Sequence, residues 1–234
     1  MGTNYNPQIV TSGLTLAIDA ANRKSYANTL LTSCTNIVQP TIIGTLLNGV
    51  LYNTTNNGTF VLSRANNSYI TTTATVNSVG MYQNNFTVSS WFNTSNTAPT
   101  SATQGGAVLA ADGTSATAGG QYSNLIRFDG FLVDFYGEGQ SVSIVSNTWY
   151  NMVHTYNYTT KVSRLYVNGV LGSTITRTVD LNANTINSVI KIGNYGFGGD
   201  TFTGSIPQVL IYNRELSDNE IQQNFNATRG RFGI

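Results

Sequence analysis

Trp149-Tyr150-Asn151-Met152-Val153-His154-Thr155-Tyr156-Asn157-Tyr158, followed shortly by Arg164-Leu165-Tyr166-Val167-Asn168-Gly169-Val170, decides the fold class. In the first run Tyr150, Met152, His154, Tyr156 and Tyr158 fall on one face, and Trp149 and Val153 on the other, which is the period of a strand. In the second, Asn168-Gly169 separates two apolar runs, the residue pair that a two-residue hairpin turn demands. The same alternation recurs outward along the chain. Leu14, Leu16 and Ile18 are expected on one face, and Phe86, Val88, Ser90 and Phe92 alternate with Thr87, Ser89 and Trp91. Leu125 to Phe128 and Phe131 to Tyr136 flank a second turn pair, Asp129-Gly130. Val189 to Ile192 and Ser205 to Tyr212 complete the strands, and Pro207 in the last implies an edge or a bulge, because proline cannot donate to a ladder. One helix stands apart. Ser217-Asp218-Asn219-Glu220 is a capping box, with Leu216, Ile221 and Phe225 around it and Gly230 as a stop, which predicts a helix over about 218–227. The expectation is an all-β, antiparallel sandwich with one short C-terminal helix.

Composition agrees with this and excludes several roles. The 234 residues include 11 basic and 10 acidic side chains, only 9% charged, against roughly 25% in an average domain. Asn (29) and Thr (33) take their place, about a quarter of the chain, with 13 Tyr and 10 Phe. A net charge of +1 without basic clusters offers nothing to nucleic acid or an acidic membrane surface. No apolar run approaches a bilayer span. Met1 to Pro7 lacks a basic stretch followed by an apolar core, so no secretory signal is expected, and the Asn-X-Ser/Thr triplets follow from composition. The lone Cys34 cannot form an internal disulfide and is expected as an inert, half-buried thiol. The chain divides into an N-terminal arm (1–12), one sandwich (13–227) and a C-terminal tail (228–234).

Three of these runs carry a resemblance. Trp149 to His154, Arg164 to Gly169 and Ile190-Lys191-Ile192-Gly193 look like consecutive strands of the laminin-G-like, concanavalin A-like lectin/glucanase superfamily. Phe202 to Ser217 is similar to that family's last strand and helix. The likeness runs from about Phe86 to Ala227, with Gly13 to Asp19 as the first strand, and residues 20–85 do not align. It implies a jelly-roll sandwich. The two ends, Tyr5 to Leu14 with Asp19 to Tyr26, and Gln222 to Ile234, resemble a subgroup found among tailed-phage structural proteins. That implies a virion protein, either capsid decoration or tail fibre, assembled in a host cytoplasm.

The family's glucanases carry a Glu-X-Asp-X-X-Glu strand, and none occurs here. Retaining glycosidases need two carboxyl groups about 5–5.5 Å apart and inverting ones about 6.5–9.5 Å. Asp218 and Glu220 form the one i, i+2 acid pair, and they belong to the helix cap. Asp134 and Glu138, at i, i+4, would stand about 13 Å apart on an extended strand, which suits neither mechanism. The chain is therefore read as non-catalytic. His154, the single histidine, is expected as a packed, satisfied imidazole, and Trp91 and Trp149 as core.

Sugar binding asks for aromatic faces and planar hydrogen-bonding groups. Tyr122, Arg127, Tyr136, Tyr156, Asn194 and Tyr195 are the candidates for glycan contact. No cofactor is required. Calcium is the ion that the glycine-flanked loop acids Asp112, Asp129 and Asp200 would suit. Near-zero charge favours self-association, and the apolar ends, Ile9-Val10 and Phe232 to Ile234, are expected as arms needing a surface. The expected partners are other virion proteins, further copies of this chain in a homo-oligomer, and host or environmental glycans. A purely structural cement protein is the alternative, and a polysaccharide hydrolase the least favoured reading.

Overall fold

The computed structural model describes residues 8–27, 32–95, 106–111, 122–127, 130–135, 138–181, 186–195 and 201–234, with backbone alone at 125, 127, 134 and 135. Among them the strands of the first half are β1 (Leu14–Asp19), β2 (Ser33–Thr35), β3 (Ile43–Leu47), β4 (Leu51–Asn53), β5 (Thr59–Leu62), β6 (Tyr69–Thr75), β7 (Phe86–Thr94) and β8 (Ala107–Ala111). Those of the second are β9 (Tyr122–Arg127), β10 (Gly130–Phe135), β11 (Glu138–Val142), β12 (Thr148–Tyr156), β13 (Val162–Val167), β14 (Val170–Thr176), β15 (Val189–Ile192) and β16 (Gly204–Tyr212). One sheet runs β14-β13-β12-β7-β16-β5-β4, with β1 also on β16, and the other β11-β10-β9-β8-β15-β6-β3-β2. Every named strand pair is antiparallel. Residues 20–85, where the resemblance is hard to align, supply β2 to β6 and a 3₁₀ turn at Thr55–Asn57.

β12 lies against β7 from Thr148↔Thr94 to Tyr156↔Phe86, so the alternation of each strand is locked to the other's. Met152, Tyr156, Phe86, Val88 and Phe92 face the second sheet, where Ile70, Val108, Ile126, Phe131, Val133 and Ile190 meet them. The Asn168-Gly169 turn joins β13 to β14, with φ of 50° and 81° at its two residues. It is the positive φ that calls for glycine at 169, since a Cβ there would meet only the movable end of Gln222, at 2.9 Å, and the Phe225 ring at 3.2 Å.

Two bulges break strict alternation. The register of β16 on β7 shifts between Ser205 and Gln208, around Pro207. Ile206 and Val209, three apart, therefore both face the core. The register of β1 shifts between Leu14 and Leu16. This corrects the expectation that Leu14 shares a face with Leu16 and Ile18: those two enter the main core, while Leu14 turns outward beside Ala17.

The outer face of the first sheet is covered by α1 (Asp218–Thr228). Its capping box forms as expected, and the helix runs one residue beyond the predicted end. Gly230 does not stop the chain, which continues as a 3₁₀ turn over Arg229–Phe232 and is closed by Gly233 at φ 72°. Leu216 and Ile221 pack with Val153, Tyr166 and Leu210. Phe225 and Phe232 pack on Trp91 and Trp149, so both tryptophans lie beneath the helix and not between the sheets. Among the described residues, Ile9, Val10 and Phe232 pack onto the sandwich and do not stand out as arms. The Phe232 ring centroid is 4.1 Å from that of Trp91, and Val10 N–H donates to Asn224 Oδ1 at 2.7 Å. Cys34 is also more deeply placed than expected. It is buried against Gly44, and burial pushes its thiol up to about 12.

A buried polar chain links the sheets. The Ser163 hydroxyl donates to Gln140 Oε1 at 2.8 Å, which leaves its oxygen to accept from His154 Nε2 at 2.7 Å. Nδ1 of His154 then accepts from the Tyr122 hydroxyl at 3.2 Å. The imidazole is satisfied while neutral. Burial, and then the nearby Arg177 charge, hold its pKa well below the usual 6.5. An unfolded chain protonates this histidine below pH 6.5 and the folded chain does not. Stability should therefore fall by about 1 kcal/mol as pH drops from 6.5 to 5.5, the slope steepening toward about 1.4 kcal/mol per pH unit. Urea titrations at both pH values should show this slope in the wild type and a flat response in His154→Gln.

Candidate functional site

The sequence candidates for glycan contact do not converge. Tyr122 and Tyr156 are buried in the main core, because even positions of β9 and β12 face inward. Tyr122 bonds His154, and the Tyr156 hydroxyl donates to Asp180 Oδ1. Neither can present a ring face to a sugar, which corrects both assignments. Asn194 is buried too, its amide donating to Thr201 Oγ1 at 3.0 Å and Asn67 Oδ1 at 3.2 Å. Tyr195 is half-buried against Ala107, Ala110 and Leu132. Tyr136, the side chain of Arg127, and the acids Asp112, Asp129 and Asp200 lie outside the described residues.

The acids in the described residues are engaged in structure. Asp218 Oδ1 accepts from the Tyr166 hydroxyl at 2.6 Å. Glu220 closes the capping box and takes two hydrogen bonds from Arg214, at 2.9 and 2.6 Å, which hold its carboxyl at about 2. Glu138 accepts from the Thr178 N–H and hydroxyl, which lower its pKa. Asp134 and Glu138 are not on one extended run, since Asp134 lies opposite Gly139 across the β10–β11 hairpin. An open groove of about 650 Å³ borders the start of α1. Its charged groups are tied to one another, Arg164 to Glu215 at 2.5 Å and Tyr166 to Asp218. Size alone does not make it the better site.

A smaller cleft is built differently. Asp19, at the end of β1, lies opposite Gln208 of β16, just past the Pro207 bulge. Gln208 Nε2 donates to Asp19 Oδ2 at 2.8 Å, and Arg231 donates through NH1 to Asp19 Oδ1 at 2.8 Å. The remaining edge of Arg231 turns to the 3₁₀ turn, Nε to the Asn56 carbonyl at 2.5 Å and NH2 to the Gly58 carbonyl. Asn56 Nδ2 returns a bond to the Arg231 carbonyl at 2.8 Å. Gly58 sits at φ 129°, where a Cβ would come 2.7 Å from the Ala20 carbonyl oxygen. The result is a cleft of about 440 Å³ with Asp19, Gln208 and Arg231 as its floor and Asn57, Asn226 and Thr228 on its walls. Asn57 and Asn226 are exposed. Beyond Asp19 and Gln208, which line both spaces, lies an apolar groove of about 310 Å³ formed by Ile9, Leu14, Ala17, Ile37, Val38 and Leu210. Both volumes fall in the range of small-molecule sites.

Sequence reasoning missed this cleft because its parts lie far apart in the chain. One signal was available. Asp19 and Arg231 both fall within the two terminal motifs that stood out together, Asp19 to Tyr26 and Gln222 to Ile234.

Two antiparallel sheets packed face to face, with one short C-terminal helix, define a jelly-roll sandwich. The chain belongs to the Concanavalin A-like lectin/glucanases superfamily, whose family model matches residues 63–222. Comparison with curated proteins returns no match. Among solved structures, domain 4 of the extracellular arabinanase AbnA from Geobacillus stearothermophilus, in complex with arabinotriose, is 15% identical with a TM-score of 0.66, covering 91% of this chain and 98% of that one. The binding domain of Botulinum neurotoxin DC, in complex with rat synaptotagmin II, is 19% identical with a TM-score of 0.69, covering 92% of this chain and 52% of that one. Trypanosoma rangeli sialidase in complex with sialic acid is 14% identical with a TM-score of 0.68, covering 97% and 35% respectively. At such identities the likeness is one of fold.

Arg231→Met should leave the Asp19 carboxylate and two carbonyls without their donor. Breaking a largely buried pair in this way should cost roughly 3 kcal/mol, read as a lower urea midpoint, with earlier amide exchange in 229–232 than in β12.

Proposed function

We propose that this chain is a non-catalytic binding module of a phage particle, displayed as capsid decoration or on a tail fibre, that contacts glycans through the Asp19–Arg231 cleft. The observation that carries this reading is the cleft itself. The exposed amides of Asn57 and Asn226 line it together with the carboxylate of Asp19, the guanidinium of Arg231 and the amide of Gln208. Such planar donor and acceptor groups match the hydroxyls of a sugar. The non-catalytic part is supported by the engagement of Asp218, Glu220 and Glu138 in caps and turns. The phage part is supported by the resemblance of residues 5–26 and 222–234 to tailed-phage structural proteins, and in this reading the protein belongs to the virion after assembly in the host cytoplasm. No helix among the described residues is long and apolar enough to cross a membrane. In this reading binding needs no cofactor, and calcium enters only through the loop acids Asp112, Asp129 and Asp200.

One observation favours the cement alternative. β14 is an edge strand without a charge or a proline, and Val170 and Leu171 on it are 67% and 46% exposed. Edges of this kind pair with another chain unless guarded, which supports contacts with further copies or with other virion proteins.

A glycan array separates the two readings. The wild-type protein should retain glycans, and the double variant Asn57→Ala/Asn226→Ala should lose about tenfold in affinity, the worth of one or two hydrogen bonds, with its thermal midpoint only slightly lowered, because alanine at position 57 must take up the left-handed φ of 61°. If the wild type binds no glycan while electron cryo-microscopy finds the chain on capsid or tail subunits, the cement reading holds instead.

A further inference from the structure

We propose that the cleft and the apolar groove form one site that selects neutral oligosaccharides bearing acetamido groups. This rests on the glycan reading above and adds the class of sugar. Three features carry it.

The first is charge. Asp19 and Arg231 are bonded to each other at 2.8 Å, and the guanidinium spends its other described bonds on the Asn56 and Gly58 carbonyls. The floor thus offers no net charge to an acidic sugar. The second is continuity. Asp19 and Gln208 line both spaces and satisfy each other at 2.8 Å, so the two spaces meet at one polar pair. The third is the mixed lining of the groove. Ile37, Leu14 and Leu210 are apolar, while Thr11, Asn22 and Gln208 stand at its edges. An acetamido group needs both kinds of surface: its methyl seeks apolar contact, and its N–H and C=O must keep hydrogen-bond partners. An unsubstituted hydroxyl would leave the apolar part of the groove unused. A bare alkyl chain would leave the polar edge unpaired.

Chitotriose and cellotriose test this directly, because both are neutral and differ at the 2-position, acetamido against hydroxyl. Isothermal titration should show chitotriose bound at least about fourfold more tightly, the worth of burying one methyl group. Ile37→Ser, or the exposed-site variant Val38→Asn should Ile37→Ser fail to fold, should bring chitotriose down toward cellotriose and leave cellotriose unchanged. Asn57→Ala/Asn226→Ala should weaken both. Equal wild-type affinities, a preference that survives the groove variants, or tighter binding of trigalacturonic acid than of either neutral sugar would overturn the selectivity while leaving glycan binding in place. Binding of none of the three, with a silent glycan array, would overturn both.

Discussion

The guanidinium of Arg231 ties together three parts of the chain that are far apart in sequence. It joins the end of the first strand through Asp19, the 3₁₀ turn through the Asn56 and Gly58 carbonyls, and its own C-terminal turn. A lysine could not do the same work, since a single ammonium lacks a planar fork with donors on several edges. With the turn fixed, Phe232 is delivered onto Trp91 and Trp149. The end of the helix is pinned, and Asn226 and Asn57 come to line the same cleft.

Position on the sheet follows from the bulge at Pro207. β16 is shared along one edge with β7 and along the other with β5 and β1. Without the extra residue, Ile206 and Val209 could not both face the core, and Gln208 would not come out beside Asp19. The same strand therefore serves packing on one face and the cleft on the other. The helix makes a third partial layer over that outer face, which is why the cleft lies under α1 and not at the loop rim.

Much of this fold was legible in the sequence, and the reason is local. The faces of β12 and β7 follow from period-two alternation, the β13–β14 turn from Asn168-Gly169, and the start of α1 from Ser217 and Glu220. What alternation cannot give is which of two apolar-looking faces meets which layer. Tyr122 and Tyr156 looked like ligand contacts because tyrosine suits a wet surface, yet each uses its hydroxyl inside the sandwich. Trp91, expected as core, is indeed buried, but in the layer under the helix, which alternation does not tell apart from the inter-sheet one. Leu14 was misplaced because a bulge leaves no mark in the pattern. The cleft was the hardest to see, because Asp19, Asn57, Gln208 and Arg231 come together only through tertiary contacts.

The central claim is that ligand is held between the 3₁₀ turn and α1, above the Asp19–Arg231 pair. Nuclear magnetic resonance of ¹⁵N-labelled protein titrated with chitotriose reads this without any substitution. The account predicts that the side-chain amide signals of Asn57, Asn226 and Gln208 shift in a saturable way while that of Asn194 stays still. Shifts confined to Asn194 and the backbone of Tyr195, with the three cleft amides unmoved, would contradict it.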